Sequence, residues 1–172
     1  MNDTFLPGNG FDTYEEQDRV LMGLSGSVRS GVAVRILQQQ GFAVAAAVVR
    51  LADTPEEHAA AEAAKALAKK LDVECLALNA EALAGQDAEA ARFAALLTAA
   101  DKLGIQYVAS GHYARMETDT QGVSHLFPPE SGAPDESSRL SALSPEVLAR
   151  LILPLGDFAP EDVEDMAKDF KL

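Results

Sequence analysis

The sequence predicts an α/β fold built on a doubly wound parallel sheet, and three observations lead to that prediction. Short apolar runs alternate with amphipathic segments over residues 19–113. Four predicted strands are separated by three predicted helices, and this order requires right-handed crossovers between parallel strands. The length of 172 residues and the hydrophobic content of 48% suit one domain with a complete core.

The elements of the core follow from the spacing of apolar residues and from signals at helix ends. Mainly apolar runs predict strands at 19–24, 42–51, 73–78 and 105–110. Apolar residues spaced three or four apart predict helices at 28–40, 54–70 and 87–103. Thr54 is placed to cap the second helix, because a proline and two glutamates follow it. Gly104 is placed to end the third helix.

The pattern changes after Tyr113. A hairpin is predicted about Gln121-Gly122, and a loop with three prolines follows it. Two short helices with start signals are predicted at Ser144–Leu153 and Pro160–Lys168. In the loop, Asp135 and Glu136 are expected to form a solvated acidic stretch.

These patterns divide the chain into a leader and one domain. Residues 1–18 carry a proline, two glycines and five acids without periodicity, so we expect a flexible leader there. The domain covers 19–172, with its α/β core at 19–113 and a small hairpin and helical segment at 114–172.

Composition limits the partners and the chemistry. The net charge is −13, and the densest basic spot, Lys65 with Lys69 and Lys70, is typical of a solvated helix face. We therefore expect no nucleic-acid partner for this chain alone. Cys75 is the only cysteine; it is expected to be buried and unreactive on a strand. His58 and His125 stand alone, and we propose no metal site.

The sequence also carries no targeting signal that we recognise. No apolar run approaches the roughly 18 residues of a membrane span, and the acidic start does not resemble a signal peptide. These features favour a cytoplasmic protein. A homodimer or a protein partner is compatible with them.

Two polar turns are expected to meet at one edge of the sheet. Ser25-Gly26-Ser27 follows the first strand and opens a helix, and Ser110-Gly111 follows the fourth strand. Ligands of parallel sheets bind at the carboxyl ends of the strands, and a helix N-terminus is an anion site. A plain strand–turn–helix connection kept for packing would give the same pattern.

Three longer stretches resemble the tRNA-specific 2-thiouridylases, which are PP-loop ATP pyrophosphatases. GLSGSVRSGVAVRILQQQG resembles their PP-loop, whose signature is SGGxDS. LLTAADKLGIQYVASGHYAR resembles their run ending in TGHYAR, and SRLSALSPEVLARLILPLGDFAPEDVEDMAKDFKL resembles their segment around FPLGD. The resemblance covers roughly residues 19–172, and it implies the N-terminal adenylation domain, a HUP fold of the adenine nucleotide alpha hydrolase-like type.

By resemblance, the bound cofactor is ATP or AMP, and the residues that hold it can be named. Phosphate contacts are expected at Ser25, Gly26, Ser27 and Ser30. Adenine contacts are expected at Gly23, Leu24, Val49 and Gly111. Arg29 and His112 complete the candidate site.

Departures from the family pattern limit the expected chemistry. Ser27 replaces a loop glycine, and Arg29 replaces the loop aspartate, so a magnesium requirement is not expected. The stretch with the first catalytic cysteine has no counterpart, and Cys75 matches neither catalytic cysteine. The family's KDQSYFL box is represented by 134–140 with most of its residues changed. The matched part stops before the family's second cysteine and its RNA-binding domains. We therefore expect no sulfur transfer.

Two residues leave alternatives open. The Arg29 guanidinium could bind phosphate, or it could block the pocket by pairing with a nearby acid. His112 could act as an acid or base, or it could orient its turn through hydrogen bonds.

The sequence favours an adenine-nucleotide or phosphate-binding domain without sulfur transfer. A PP-loop enzyme that adenylates another substrate and a non-catalytic interaction module are the alternatives. Release of pyrophosphate from ATP would distinguish the enzyme from the other two.

Overall fold

The computed structural model describes residues 18–129 and 132–172 of the chain. The predicted leader at 1–18 lies outside this part, apart from Asp18. Within the described residues, no helix is both long enough and apolar enough to cross a membrane.

Seven strands and five α-helices are present in the described residues. In chain order the strands are β1 Arg19–Gly23, β2 Ala43–Arg50, β3 Cys75–Asn79, β4 Tyr107–Ala109, β5 Arg115–Thr118, β6 Ser124–Phe127 and β7 Leu151–Ile152. The helices are α1 Val28–Gln39, α2 Pro55–Leu71, α3 Ala88–Leu103, α4 Pro145–Arg150 and α5 Pro160–Asp169.

Five parallel strands form the central sheet in the order β3-β2-β1-β4-β7. Met22 of β1 is in register with Ala46 of β2 on one side and with Ala109 of β4 on the other. On one face, Val20 and Met22 belong to a core that includes α1, α2 and α5. On the opposite face, Leu21 belongs to a core that includes α3 and α4. The predicted doubly wound α/β fold is therefore confirmed, and burial on both faces explains why the central strands β1 and β4 are mainly apolar.

The helices begin and end where the sequence places caps. The hydroxyl of Thr54 accepts a hydrogen bond from the Glu57 N–H at 3.2 Å, which caps α2 as predicted. Asp87 caps α3 in the same way through the Ala90 N–H. Gly104 ends α3 with a φ of 69°, in the left-handed region that glycine adopts most easily.

The fifth strand of the sheet is absent from the sequence prediction. The predicted helix Ser144–Leu153 ends at Arg150, and β7 follows it directly and pairs with β4. Arg150 fixes this position, because its guanidinium donates to the carbonyl oxygens of Ile105 at 2.8 Å and Gln106 at 2.7 Å. A strand of two residues is too short to show a period in the sequence, and pairing with β4 decides its conformation.

Cys75 is more exposed than predicted. It is half-buried at the start of β3, because β3 is an edge strand with one neighbouring strand. What burial it has raises the pKa of the Cys75 thiol above its ordinary value, and the charge of Lys65 opposes this effect.

Candidate functional site

A cavity of about 380 Å³ opens at the carboxyl ends of β1, β2 and β4. Nine of the ten candidate residues line it: Gly23, Leu24, Ser25, Ser27, Arg29, Ser30, Val49, Gly111 and His112. Gly26 is not among the lining residues. The cavity has a loop wall, formed by Ser25–Ser30, and an arginine wall, formed by Glu89, Arg92, His112 and Arg139.

The loop wall is organised by serine hydroxyl groups at the start of α1. Ser27 is the N-cap residue, and its Oγ accepts a hydrogen bond from the Ser30 N–H at 3.2 Å. The Oγ atoms of Ser25 and Ser27 are 2.9 Å apart. Within the described residues, the backbone N–H groups of Gly26, Val28 and Arg29 have no protein acceptor. Unpaired N–H groups at the positive end of a helix are suited to an anion.

Two glycines allow the loop wall to pack closely against its surroundings. Gly26 has a φ of 83°, and a Cβ atom on it would lie 2.8 Å from the Cβ of Ala63 in α2. Gly26 therefore allows the loop to pack against α2, on the side away from the cavity. A Cβ on Gly111 would lie 3.4 Å from the Ser30 Cα, so the turn after β4 rests directly on the loop.

Arg29 is held by an acid and an aromatic ring. Its Nη1 lies 3.3 Å from Oε1 of Glu136, and its guanidinium carbon lies 4.7 Å from the centre of the Tyr113 ring. The Glu136 side chain is only 13% exposed, which corrects the expectation that it is solvated. Asp135 is exposed, and its carboxylate accepts hydrogen bonds from the backbone N–H and the hydroxyl of Ser137, which lower the pKa of Asp135.

His112 is held at both ring nitrogens. Its Nδ1 lies 2.7 Å from the Ser110 Oγ, and its Nε2 lies 2.8 Å from Oε2 of Glu89 in the first turn of α3. The hydrogen bond from His112 keeps the pKa of Glu89 below its usual range, against the opposing effect of burial. These contacts fit the role in which His112 orients its turn through hydrogen bonds. If His112 acted as an acid or base, the proton would have to pass through Ser110 or Glu89, or one of them would have to be displaced.

The arginine wall was not found by sequence reasoning. Arg92 of α3 lies 3.7 Å from Glu89 and 3.8 Å from Glu57. Arg139, in the 3-10 helix Ser137–Leu140, lies 3.2 Å from Glu89 and from Glu136. These residues are far apart in the sequence. Arg92 lies in no recognisable motif, and Arg139 lies in the 134–140 stretch at a position where the family's box has no arginine. The one available signal was the position of Glu89 and Arg92 in the first turns of a helix that begins at the ligand edge of the sheet.

Apolar groups complete the cavity beside its charged walls. Ala47 and Val48 of β2 line it, and Phe93 and Leu96 of α3 face them. The Leu24 N–H already donates to the Ala47 carbonyl at 2.8 Å, which ties the loop wall to β2. The site can therefore accommodate a ligand with an anionic part and a flat apolar part.

A family model described as the tRNA methyl transferase HUP domain matches residues 87–172. The chain is 29% identical to the tRNA-specific 2-thiouridylase MnmA of Lactococcus lactis, over 88% of this chain and 48% of the relative. It is 32% identical to the protein of that name from Yersinia pestis, over 91% of this chain and 49% of the relative. The chain thus spans about half the length of these curated relatives.

Solved structures share the fold at low sequence identity. One is the U34-tRNA thiolase NcsA from Methanococcus maripaludis with its [4Fe-4S] cluster, with a TM-score of 0.61 and 15% identity over 90% of this chain and 57% of that chain. Another is PH1313 from Pyrococcus horikoshii, with a TM-score of 0.51 and 13% identity over 90% and 42%. The comparisons lend no support to the expectation of no nucleic-acid partner, since several of these proteins are named for tRNA.

Proposed function

The chain belongs to the tRNA methyl transferase HUP domain family, and on that premise we propose that its cavity binds an adenine nucleotide through the phosphates. One observation carries the proposal. Three guanidinium groups, those of Arg29, Arg92 and Arg139, line the same cavity as the start of α1 in a chain of net charge −13. Arginine forks and helix N-termini are two of the commonest phosphate-binding groups in proteins.

The charges around the cavity are balanced in the absence of a ligand. Glu57, Glu89 and Glu136 lie against the three arginines, so each arginine has an acidic neighbour. A guanidinium carries five N–H donors, and a carboxylate on one edge leaves donors for a phosphate on another. We therefore expect selective binding of modest affinity, because the phosphate would bind arginines that are already paired with glutamates.

The size and polarity of the cavity fit a nucleotide better than a free inorganic anion. Its volume of about 380 Å³ lies within the usual range of small-molecule pockets, about 300–1,000 Å³. The apolar side, with Ala47 against Phe93 and Leu96, suits a purine ring. We expect ATP and AMP to bind more tightly than phosphate because the ring adds buried apolar area.

Magnesium and sulfur chemistry have no part in this proposal. Arg29 occupies the position of the acid that would organise a metal on the phosphates. Cys75 lies at the amino end of β3, whereas the cavity lies at the carboxyl ends of the strands. Four residues of strand separate the two edges, roughly 13 Å at about 3.3 Å per residue.

Calorimetric titration with ATP, AMP and phosphate, each with and without magnesium, tests the proposal. We expect saturable binding of ATP and AMP that changes little when magnesium is removed. Arg92→Ala should weaken it. Arg19→Ala provides the matched control, because Arg19 lies at the opposite end of β1 and its guanidinium donates to the Leu103 and Gly104 carbonyls, outside the cavity. Absence of binding for all three ligands would refute the proposal.

Adenylyl transfer is the second candidate function, and the contacts of His112 favour it. Ser110 is only 5% exposed yet lines the cavity, and its hydroxyl connects to Glu89 through His112. Such a series of hydrogen-bonded side chains can accept a proton from a nucleophile that attacks the nucleotide. Release of pyrophosphate from ATP, with tRNA as the first acceptor to be tried, would support it. Binding without release would leave the binding function alone.

The names of the relatives make tRNA the macromolecule to test directly. The distribution of charge favours the opposite outcome, since the three arginines line the cavity and the whole chain is acidic. A mobility-shift titration at physiological salt distinguishes the two. A shift at low micromolar protein that weakens steeply with added salt would overturn the expectation of no nucleic-acid partner.

A further inference from the structure

Glu136 lies behind two of the three cavity arginines, one from each wall. Its carboxylate is 3.3 Å from Nη1 of Arg29 and 3.2 Å from Nη1 of Arg139. Both arginines line the cavity, whereas Glu136 is not among the lining residues. The carboxylate therefore contacts the guanidinium groups from outside the space that a ligand would fill.

Glu136 is itself firmly held by the turn after β4. Its backbone N–H donates to the Tyr113 carbonyl at 3.1 Å, and its Oε1 accepts from the Tyr113 N–H at 2.8 Å. Tyr113 is 5% exposed, and its ring lies under the Arg29 guanidinium. The first contact thus fixes the backbone of Glu136 and the second fixes its carboxylate, while the ring limits the directions in which Arg29 can point.

We propose that Glu136 is a positioning residue that orients Arg29 and Arg139 toward a single phosphate. The proposal rests on the proposed function and deepens it. Long arginine side chains lose considerable freedom when they bind an anion, and a partner that fixes them beforehand reduces that loss. The alternative is that Glu136 only competes with the ligand for the two positive charges.

Glu136→Gln separates these two roles. The amide keeps the size of the side chain and an oxygen that can accept from the Tyr113 N–H, but it loses the charge that holds both arginines. We expect phosphate and AMP to bind about tenfold more weakly, in the range for losing a charge-assisted contact. Tighter binding would show that Glu136 is a competitor and would overturn the proposal.

A double-mutant cycle shows whether the effect passes through Arg29. In an Arg29→Ala background, Glu136→Gln should weaken AMP binding clearly less than in the parent protein. Glu146→Gln is the matched control, because Glu146 is exposed at the start of α4, and it should leave AMP binding unchanged. Equal effects of Glu136→Gln in both backgrounds would contradict the role for Arg29.

A ligand-free measurement keeps this inference distinct from the proposed function. The Nε–H signal of Arg29 in nuclear magnetic resonance should report an ordered guanidinium in the parent protein and a more mobile one in Glu136→Gln. An unchanged Arg29 signal would refute positioning even if nucleotides bind. An ordered Arg29 in a parent protein that binds no anion would instead refute the proposed function, and with it the role of Glu136 toward phosphate.

Discussion

The loop wall and the arginine wall meet at one cavity but are built in opposite ways. The loop wall consists of consecutive residues, Ser25–Ser30, and offers mainly backbone N–H groups fixed by the start of α1. The arginine wall brings together side chains from α3, the turn after β4 and the 3-10 helix Ser137–Leu140. One wall is therefore as rigid as its helix, and the other depends on ion pairs between elements. On the proposed function, backbone geometry would set where an anion binds, and side-chain pairing would set how strongly it is held.

Gly26→Ala should have the largest effect, because it attacks the backbone of the loop wall. The φ of 83° disfavours any Cβ atom, and the new methyl group would collide with Ala63 at 2.8 Å. We expect a loss of roughly 2–4 kcal/mol in the free energy of unfolding, from strain and overpacking together. Urea denaturation measures it. Gly122 also has a positive φ but has open space around it. A similar loss of unfolding free energy in Gly122→Ala would show that the effect at Gly26 comes from φ alone.

Arg29→Ala tests whether the loop wall needs its one charged side chain. We expect phosphate or nucleotide binding to weaken by about 1–3 kcal/mol, the range for a charge-assisted contact. Calorimetric titration gives the value. Improved binding would mean that Arg29 blocks the pocket while it pairs with Glu136.

Arg29→Asp sharpens the same comparison by restoring an acid to the loop wall. A carboxylate can organise a metal ion on phosphates, so any residual nucleotide binding should then require magnesium. Titration of this variant with and without magnesium provides the measurement. Residual binding that is unchanged by magnesium would show that a carboxylate at position 29 alone does not determine the metal requirement.

Glu89→Gln tests the ion pairs of the arginine wall through pH. Because the pKa of Glu89 is lowered in the folded state by His112, its contribution is present above the ordinary glutamate pKa of about 4.3 and is lost as pH falls through the folded value. We expect the parent protein to be more stable than Glu89→Gln by about 0.5–1 kcal/mol near pH 7, a modest figure because solvent partly screens the pair. Denaturation curves at several pH values should show this difference shrinking below about pH 4. A difference that is constant with pH would point to packing instead of charge.

Cys75→Ser should have the smallest effect, because Cys75 belongs to neither wall. It lies at the other edge of the sheet, so AMP binding should remain within experimental error of the parent protein. Its partial exposure also predicts measurable labelling by thiol reagents in the folded state, at a rate limited by its raised pKa. A clear loss of AMP binding in Cys75→Ser would show that the amino end of β3 is coupled to the cavity at the carboxyl ends of the strands.

The sequence by itself determined most of the fold and nearly all of the loop wall. Alternating apolar runs and helix-end signals such as Thr54 and Gly104 are local, so they could be recognised without knowing the tertiary structure. The resemblance around Ser25–Ser30 and Gly111-His112 placed the candidate site at the carboxyl ends of the strands, where the cavity lies. Such signals are present in the sequence because each element of the core must pair its own backbone N–H and C=O groups and bury its own apolar face.

Only the tertiary structure decided the rest. β7 is two residues long and exists because β4 offers a pairing edge. Glu89 and Arg92 lie more than 40 residues before Glu136 and Arg139. The four meet because α3 and the segment around the 3-10 helix pack beside the same strand ends. Pairings between distant charges depend on angles and distances of a few ångströms, which the order of residues along the chain does not specify.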